Sequence, residues 1–242
     1  MQYMNLVVDY GNTAAKVGIF DQRELKEEHA FFNPEELLSF IKSVPADGVI
    51  FSSVSREMEP LQQSASHISR QFVLNFRLPL PITNNYATPE TLGVDRLAGV
   101  CGAKSLFPES PCLVIDSGTC VTYDLITADA VFLGGLIAPG LYMRLRAMHK
   151  FTARLPQVEI NPAIDLTGYS TETCLQSGAF NGMLAEIEGI ISHYHSQYPQ
   201  LRVILCGGDT HFFENKLKGP IFAVQNLVLR GLNSILLHNV GH

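Results

Sequence analysis

The 242 residues are 46% hydrophobic and 17% charged, an ordinary globular mixture with enough apolar material for a sizeable core. Seventeen basic against 23 acidic residues give a formal charge of −6, which argues against a broad nucleic-acid-binding face. No apolar run approaches the roughly 20 residues of a membrane span, and the five cysteines form no Cys-x-x-Cys pair, so the expectation is a reduced, cytoplasmic chain with buried free thiols, no zinc site and no membrane partner.

In chain order, "LVVDYGNTAAKVGIF" (6–20) reads as strand, turn, strand, with Gly11 free to take a positive φ. "NPEELLSFIKSV" (33–44) reads as a helix capped by Asn33, with Pro34 at the first helical position and Glu36 reaching back as in a capping box. A buried strand follows at 48–54, then a helix over 56–72 despite Pro60, and a short strand at 72–76. "GVDRLAGVCGAKSLF" (93–107) is predicted to be a helix. The Pro-rich "FPESPC" (107–112) is the expected boundary, giving halves 1–110 and 111–242.

The second half restarts the order. Strands are expected at 113–116, 120–126 and 130–133, an amphipathic helix at 181–199, a buried strand in "RVILCGGDT" (202–210) and a closing helix at 226–239. Strands followed by helices in both halves imply an α/β protein. The basic stretch "MRLRAMHKFTARL" (143–155) is read as a solvated helix face or the rim of a dimer, and "HYH" (193–195) as a surface helix end.

Asp-x-Gly-Asn-Thr at Asp9 and Asp-x-Gly-Thr at Asp116 place the same residue types at two hairpin tips. Turn amides can hold phosphate oxygens, and glycine permits close approach. Asn12, Thr13 and Thr119 add side-chain donors, and Lys16 a point charge. A bare phosphate would repel Asp9 and Asp116, so the carboxylates make sense with a cation between them and the phosphates. One such hairpin alone is an ordinary tight turn; two, one per half, suit a nucleotide site. "CGGD" (206–209) would let backbone approach a flat ligand, or simply make a tight strand–helix turn.

In "GVDR" (93–96), a carboxylate at a helix start is kept ionised by the positive backbone potential. It can then take the proton of a substrate hydroxyl. Arg96 can clamp a carboxylate or phosphate. Taken alone, the pair also suits an ordinary solvated helix start.

Together these motifs resemble the superfamily of acetate and sugar kinases, heat-shock ATPases and actin. Within it the chain is most similar to type III pantothenate kinases. The residues that carry the likeness are "DYGNTAAK" (9–16), "NNYATPETLGVDR" (84–96), "DSGTCVTYD" (116–124), "GGLIAPG" (134–140), "STETCLQSGAFNG" (170–182) and "CGGD" (206–209). Cys120 stands where many members carry alanine, and Cys206 where threonine is usual. The resemblance implies two ribonuclease-H-like halves flanking a nucleotide cleft. It implies ATP-dependent phosphorylation of pantothenate to 4′-phosphopantothenate, the first step of coenzyme A synthesis.

Position by position, it implies that Asp9, Tyr10, Gly11, Asn12, Thr13, Ala14, Ala15 and Lys16 hold ATP and that Thr119 touches its phosphates. Tyr86, Gly93, Val94, Asp95, Arg96 and Thr171 would bind pantothenate, with Asp95 as the catalytic base and Thr171 reaching across a homodimer interface. Asp116 would bind K⁺ or NH₄⁺, with Mg²⁺ accompanying ATP. A sugar or acyl kinase of the same superfamily, and a nucleotide-binding regulator without turnover, are the alternatives.

Overall fold

Leu6, Val7 and Val8 are each fully buried, so both faces of their strand are covered. This is why the strand reads as an unbroken apolar run rather than an alternating one. The computed structural model describes residues 4–11, 14–53, 58–161 and 164–241. Strand β1 (Met4–Tyr10) pairs antiparallel with β2 (Ala15–Asp21), and β2 with β3 (Glu24–Phe31). On its other side β1 pairs parallel with β4 (Gly48–Ser53), and β4 with β5 (Arg70–Val73). The sheet order is therefore β3-β2-β1-β4-β5.

One face of this sheet carries Leu6, Val8, Val17, Val49 and Phe51 against Leu37 and Ile41 of α1 (Pro34–Ser43) and Leu61 of α2 (Glu59–Ser64). The other carries Val7, Phe20 and Ile50 against α3 (Val94–Leu106) and α7 (Leu227–Val240). Helices α3 and α7 touch backbone to backbone. A Cβ on Gly231 would overlap Ala98 O, and one on Gly102 would overlap Leu227 O. A buried amide pair keys α7 to the sheet: Asn5 Nδ2 donates to Asn233 Oδ1 at 2.7 Å, and Asn233 Nδ2 to Gln22 O at 2.7 Å.

The second sheet repeats the plan. Its order is β11-β10-β7-β8-β9-β6, with β7 (Cys112–Ser117), β8 (Cys120–Ile126), β9 (Val131–Pro139), β10 (Arg202–Cys206) and β11 (Ile221–Ala223) standing in the places of β1 to β5. The short β6 (Thr83–Asn84) adds to its edge by pairing with Val131 and Phe132. Its core joins Leu113, Ile115, Tyr123, Val203 and Leu205 to α4 (Leu141–Lys150) and the 27-residue α5 (Thr171–Gln197). A four-residue helix α6 (Thr210–Phe213) follows β10. Among the described residues, no helix is long and apolar enough to cross a membrane.

The compact units differ from the expected halves 1–110 and 111–242. Unit 1 comprises 1–109, 126–133 and 226–242; unit 2 comprises 110–125 and 134–225. The close glycine contacts of α7 with α3 explain its return to the first unit. Elements differ too. The helix expected over 56–72 is confined within the described residues to Glu59–Ser64, and β5 starts at Arg70. The helix expected at 181–199 begins ten residues earlier, where Ser170 Oγ accepts from Thr173 N and Thr173 Oγ1 accepts from Ser170 N. Asn33 caps α1 through Glu35 N at 2.8 Å. Of the five cysteines, Cys101, Cys112 and Cys206 are buried, Cys120 is intermediate and Cys174 is exposed, which corrects the expectation that all are buried.

Candidate functional site

In unit 1 the Asp9 carboxylate stands at the end of β1. Asp9 is the register partner of Lys16 on β2 and of Ser52 on β4, so the three side chains share one sheet face. It is the α3/α7 face, since Val7 and Ile50 lie on it. Tyr10 pairs with Ala15, and Gly11 N donates to Ala14 O at 3.2 Å to tighten the turn. Ala15 is fully buried, which anchors the loop's second strand, while Lys16 is exposed. Asn12 and Thr13 lie outside the described residues.

The α3 start gathers five of the expected residues. Gly93 is the N-cap residue, and no side chain caps the helix from that position. Asp95 instead folds back, its Oδ1 accepting from Arg96 N at 2.9 Å. A Cβ on Gly93 would stand 2.5 Å from that oxygen, so glycine leaves room for the carboxylate. Arg96 is buried to 8% exposure, and its guanidinium lies 5.5 Å from the Tyr86 ring centroid. Tyr86 stacks nearly parallel on Phe132, with centroids 6.1 Å apart, and its amide donates to Asn84 Oδ1 at 3.0 Å. Val94 packs beside the α3/α7 core. A half-buried carboxylate, a held guanidinium and an aromatic ring thus meet at one helix start.

Unit 2 assembles the second hairpin from three distant segments. Gly118 N donates to Cys120 O at 3.0 Å, closing the turn that carries the exposed Thr119. Gly140, the last residue of "GGLIAPG", donates its N–H to Thr119 O at 3.2 Å, and a Cβ there would overlap Gly118 O. Gly207, at φ +93°, comes so near Asp116 that a Cβ would overlap Asp116 Oδ1 and Ser117 O. Asp209 N donates to Ser117 O at 2.9 Å. "DSGTC", "GGLIAPG" and "CGGD" therefore form one backbone assembly.

Sequence reasoning passed over two groups in this unit. Burial pushes the Asp209 carboxyl up from its ordinary value, partly opposed by His211. Burial, with the charges of Asp209 and Glu159, pushes the Tyr142 phenol up. The only signal for Asp209 was its place after Gly-Gly. Arg144 also departs from the solvated role expected for 143–155. Its Nη2 donates to Glu186 Oε2 at 2.6 Å and its Nε to Pro139 O at 2.9 Å, while the Tyr123 hydroxyl donates to Glu186 Oε1 at 2.8 Å. Burial, then the Glu186 bond, pushes that phenol far up. Thr171, the first residue of α5, is exposed.

A family model described as type III pantothenate kinase matches residues 5–193. A curated relative of that name from Phocaeicola vulgatus is 43% identical over 98% of this chain and 99% of its own length. One from Christiangramia forsetii is 43% identical over 98% and 99%. Among solved structures, a protein assigned to the Baf family of transcriptional activators, from Campylobacter jejuni, is similar with a TM-score of 0.65 at 20% identity, covering 98% of this chain and 100% of that one. The ROK hexokinase of Thermus thermophilus gives a TM-score of 0.52 at 14% identity, covering 99% and 100%. At these identities the structures speak to the fold alone, which is α/β and of the actin-like ATPase class.

Proposed function

Because the chain belongs to the type III pantothenate kinase family, we propose that it transfers the γ-phosphoryl group of ATP to the primary alcohol of pantothenate. The product is 4′-phosphopantothenate, at the entry to coenzyme A synthesis. The observation that carries this reading is the α3 start, where Asp95 lies beside a buried Arg96 held over Tyr86. Asp95, at the helix N-terminus, takes the proton of the alcohol as its oxygen attacks the γ-phosphorus and the bond to ADP breaks. Arg96 binds the pantothenate carboxylate with its planar fork. Tyr86, Gly93, Val94 and Thr171 shape the rest of that site.

Residues 9–16 hold ATP, with turn amides and Lys16 facing its phosphates, and Thr119 contributes its hydroxyl. Among the described residues, no group of three or more His, Cys, Asp or Glu side chains could hold a metal ion. That suits Mg²⁺, which keeps waters and substrate phosphates as ligands and needs only one or two carboxylates. A bound Mg²⁺ neutralises charge on the transferring phosphoryl group. Asp116 suits a monovalent cation, K⁺ or NH₄⁺, because Gly207 leaves beside its Oδ1 the room that a Cβ would fill.

A homodimer is favoured by large apolar side chains exposed in unit 2, the unit that holds Thr171: Ile137 at 61%, Leu166 at 80% and Tyr169 at 88%. A second copy would cover them and let Thr171 serve the partner's site. The cytoplasm is the compartment in which such a reaction finds ATP. The test is ATP consumption with pantothenate, with a panel of sugars and short acids, and with no acceptor. Turnover only with pantothenate is the expected result. Turnover with a sugar or acid alone, or none at all, would overturn the reading.

A further inference from the structure

Unit 1 holds a cavity of about 470 Å³, lined by the last turns of α3, by α7 from Arg230 to His238, by the β2–β3 turn and by the chain at Pro81, Pro108 and Ala130. That volume fits a small molecule. Its formal charges are all of one sign. Among the described residues, Arg23, Lys104 and Arg230 line it and no Asp or Glu does, in a chain with 23 acidic and 17 basic residues. Glu24, Glu109 and Asp129 adjoin lining residues in sequence but are not part of the wall, and Glu24 pairs with Lys26 at 2.7 Å. His238 adds positive charge when protonated.

The cations are placed to receive an anion. Arg23 makes no hydrogen bond or ion pair among the described residues. Among the described residues, the one side-chain hydrogen bond of Arg230 runs from Nε to Asn226 Oδ1 at 2.9 Å, which orients the guanidinium and keeps both terminal amino groups as donors. Lys104 Nζ donates to Pro108 O at 2.6 Å and Ala128 O at 2.9 Å. Those bonds fix its charge in the wall and answer the partial negative charge at the α3 C-terminus. Leu106 and Leu237 add apolar surface to the wall, and Ser234 a hydroxyl.

We propose that this cavity binds a small phosphate-bearing molecule. Arg23 and Arg230 receive the phosphate beside the Lys104 charge, and the apolar part of the molecule rests on Leu106 and Leu237. Three cations around one cavity suit a dianion better than a carboxylate, and guanidinium groups match phosphate oxygens in pairs. Lys104 lies nine residues beyond Asp95 on α3, about 14 Å at 1.5 Å per residue, so the occupant does not touch the Asp95 end. The inference stands without the kinase reading.

The probe is inorganic phosphate, titrated into ¹⁵N-labelled full-length protein at constant ionic strength, with acetate and chloride titrations beside it. The expected result is saturable movement of the Ser105, Ala130 and Ser234 amide signals with phosphate alone. Arg23→Gln/Arg230→Gln should weaken it at least about tenfold, since each charge-assisted contact is worth roughly 1.5–3 kcal/mol. Arg23→Gln alone, at an exposed turn position, serves if the double variant does not fold. Movement without saturation, equal movement with acetate or chloride, or unchanged affinity in the variants would overturn the proposal. The Gly11 and Gly118 amides report separately on the phosphate loops, so failure there is distinct from failure here.

Discussion

At the Asp9 turn, a Cβ on Gly11 would stand 3.2 Å from Ala14 O, a contact a small shift can relieve. At the Asp116 turn, Cβ atoms on Gly140 and Gly207 would both overlap backbone from another segment. The two hairpins share one residue plan and matching places in their sheets, yet differ in support. The first is a local turn, backed by the sheet face that α3 and α7 cover. The second is an assembly in which residues 140 and 207 must both remain bare of side chains where they meet the backbone of 117–119. The same turn is thus reached once by local hydrogen bonding and once by long-range packing. The second should tolerate substitution far less well.

The largest expected effect breaks the packed hairpin. Gly207→Ala adds both a backbone clash and a strained positive φ, and should cost more than about 3 kcal/mol of unfolding free energy. Gly11→Ala should cost about 1 kcal/mol or less. Urea denaturation of the two variants measures the contrast; similar losses would erase it. A smaller effect separates the two carboxylates. Asp116→Asn should weaken activation by K⁺ or NH₄⁺ about tenfold, because an amide replaces the charge that attracts the cation. Asp9→Asn should lower turnover but keep the activation ratio. Rate titrations in K⁺, NH₄⁺ and Na⁺ at fixed ionic strength decide it, and a lost ratio in both variants or in neither contradicts the division of roles.

The smallest effect concerns Asp209, which belongs to the packed assembly only. Its folded-state pKa is raised by burial. The folded protein therefore holds that proton to higher pH than the unfolded chain. Stability contributed by the protonated form is present below the ordinary carboxylate range and falls as pH rises through the raised folded value. Asp209→Asn should remove this slope, a few tenths of a kcal/mol for a half-exposed group. Denaturation midpoints from pH 4 to 7 check it; an identical slope in the variant would show that another group titrates.

Much of this was legible in the chain. The apolar runs on either side of Asp9 and Asp116, with turn residues between, placed both hairpins. The cap residues Asn33 and Pro34 placed α1. Part of what was not legible was non-local. Nothing near 226–239 states that Gly231 must lie against Ala98, so the return of α7 to unit 1 was missed. The start of α5 was missed because Thr173 takes the place of the usual Glu or Gln in the capping box. Arg144 looked like a surface charge because its partner, Glu186, is 42 residues away. Asp95 was legible as a helix-start carboxylate. Its accommodation by Gly93 was not, since that depends on a folded-back side chain.

The proposed transfer depends most heavily on Asp95 as the group that takes the proton. The direct measurement is single-turnover phosphoryl transfer from ATP to pantothenate by Asp95→Asn, with ATP affinity measured on the same sample. The variant should bind ATP nearly as the wild type does and transfer about 10²–10⁴-fold more slowly. Transfer at the wild-type rate would contradict the assignment.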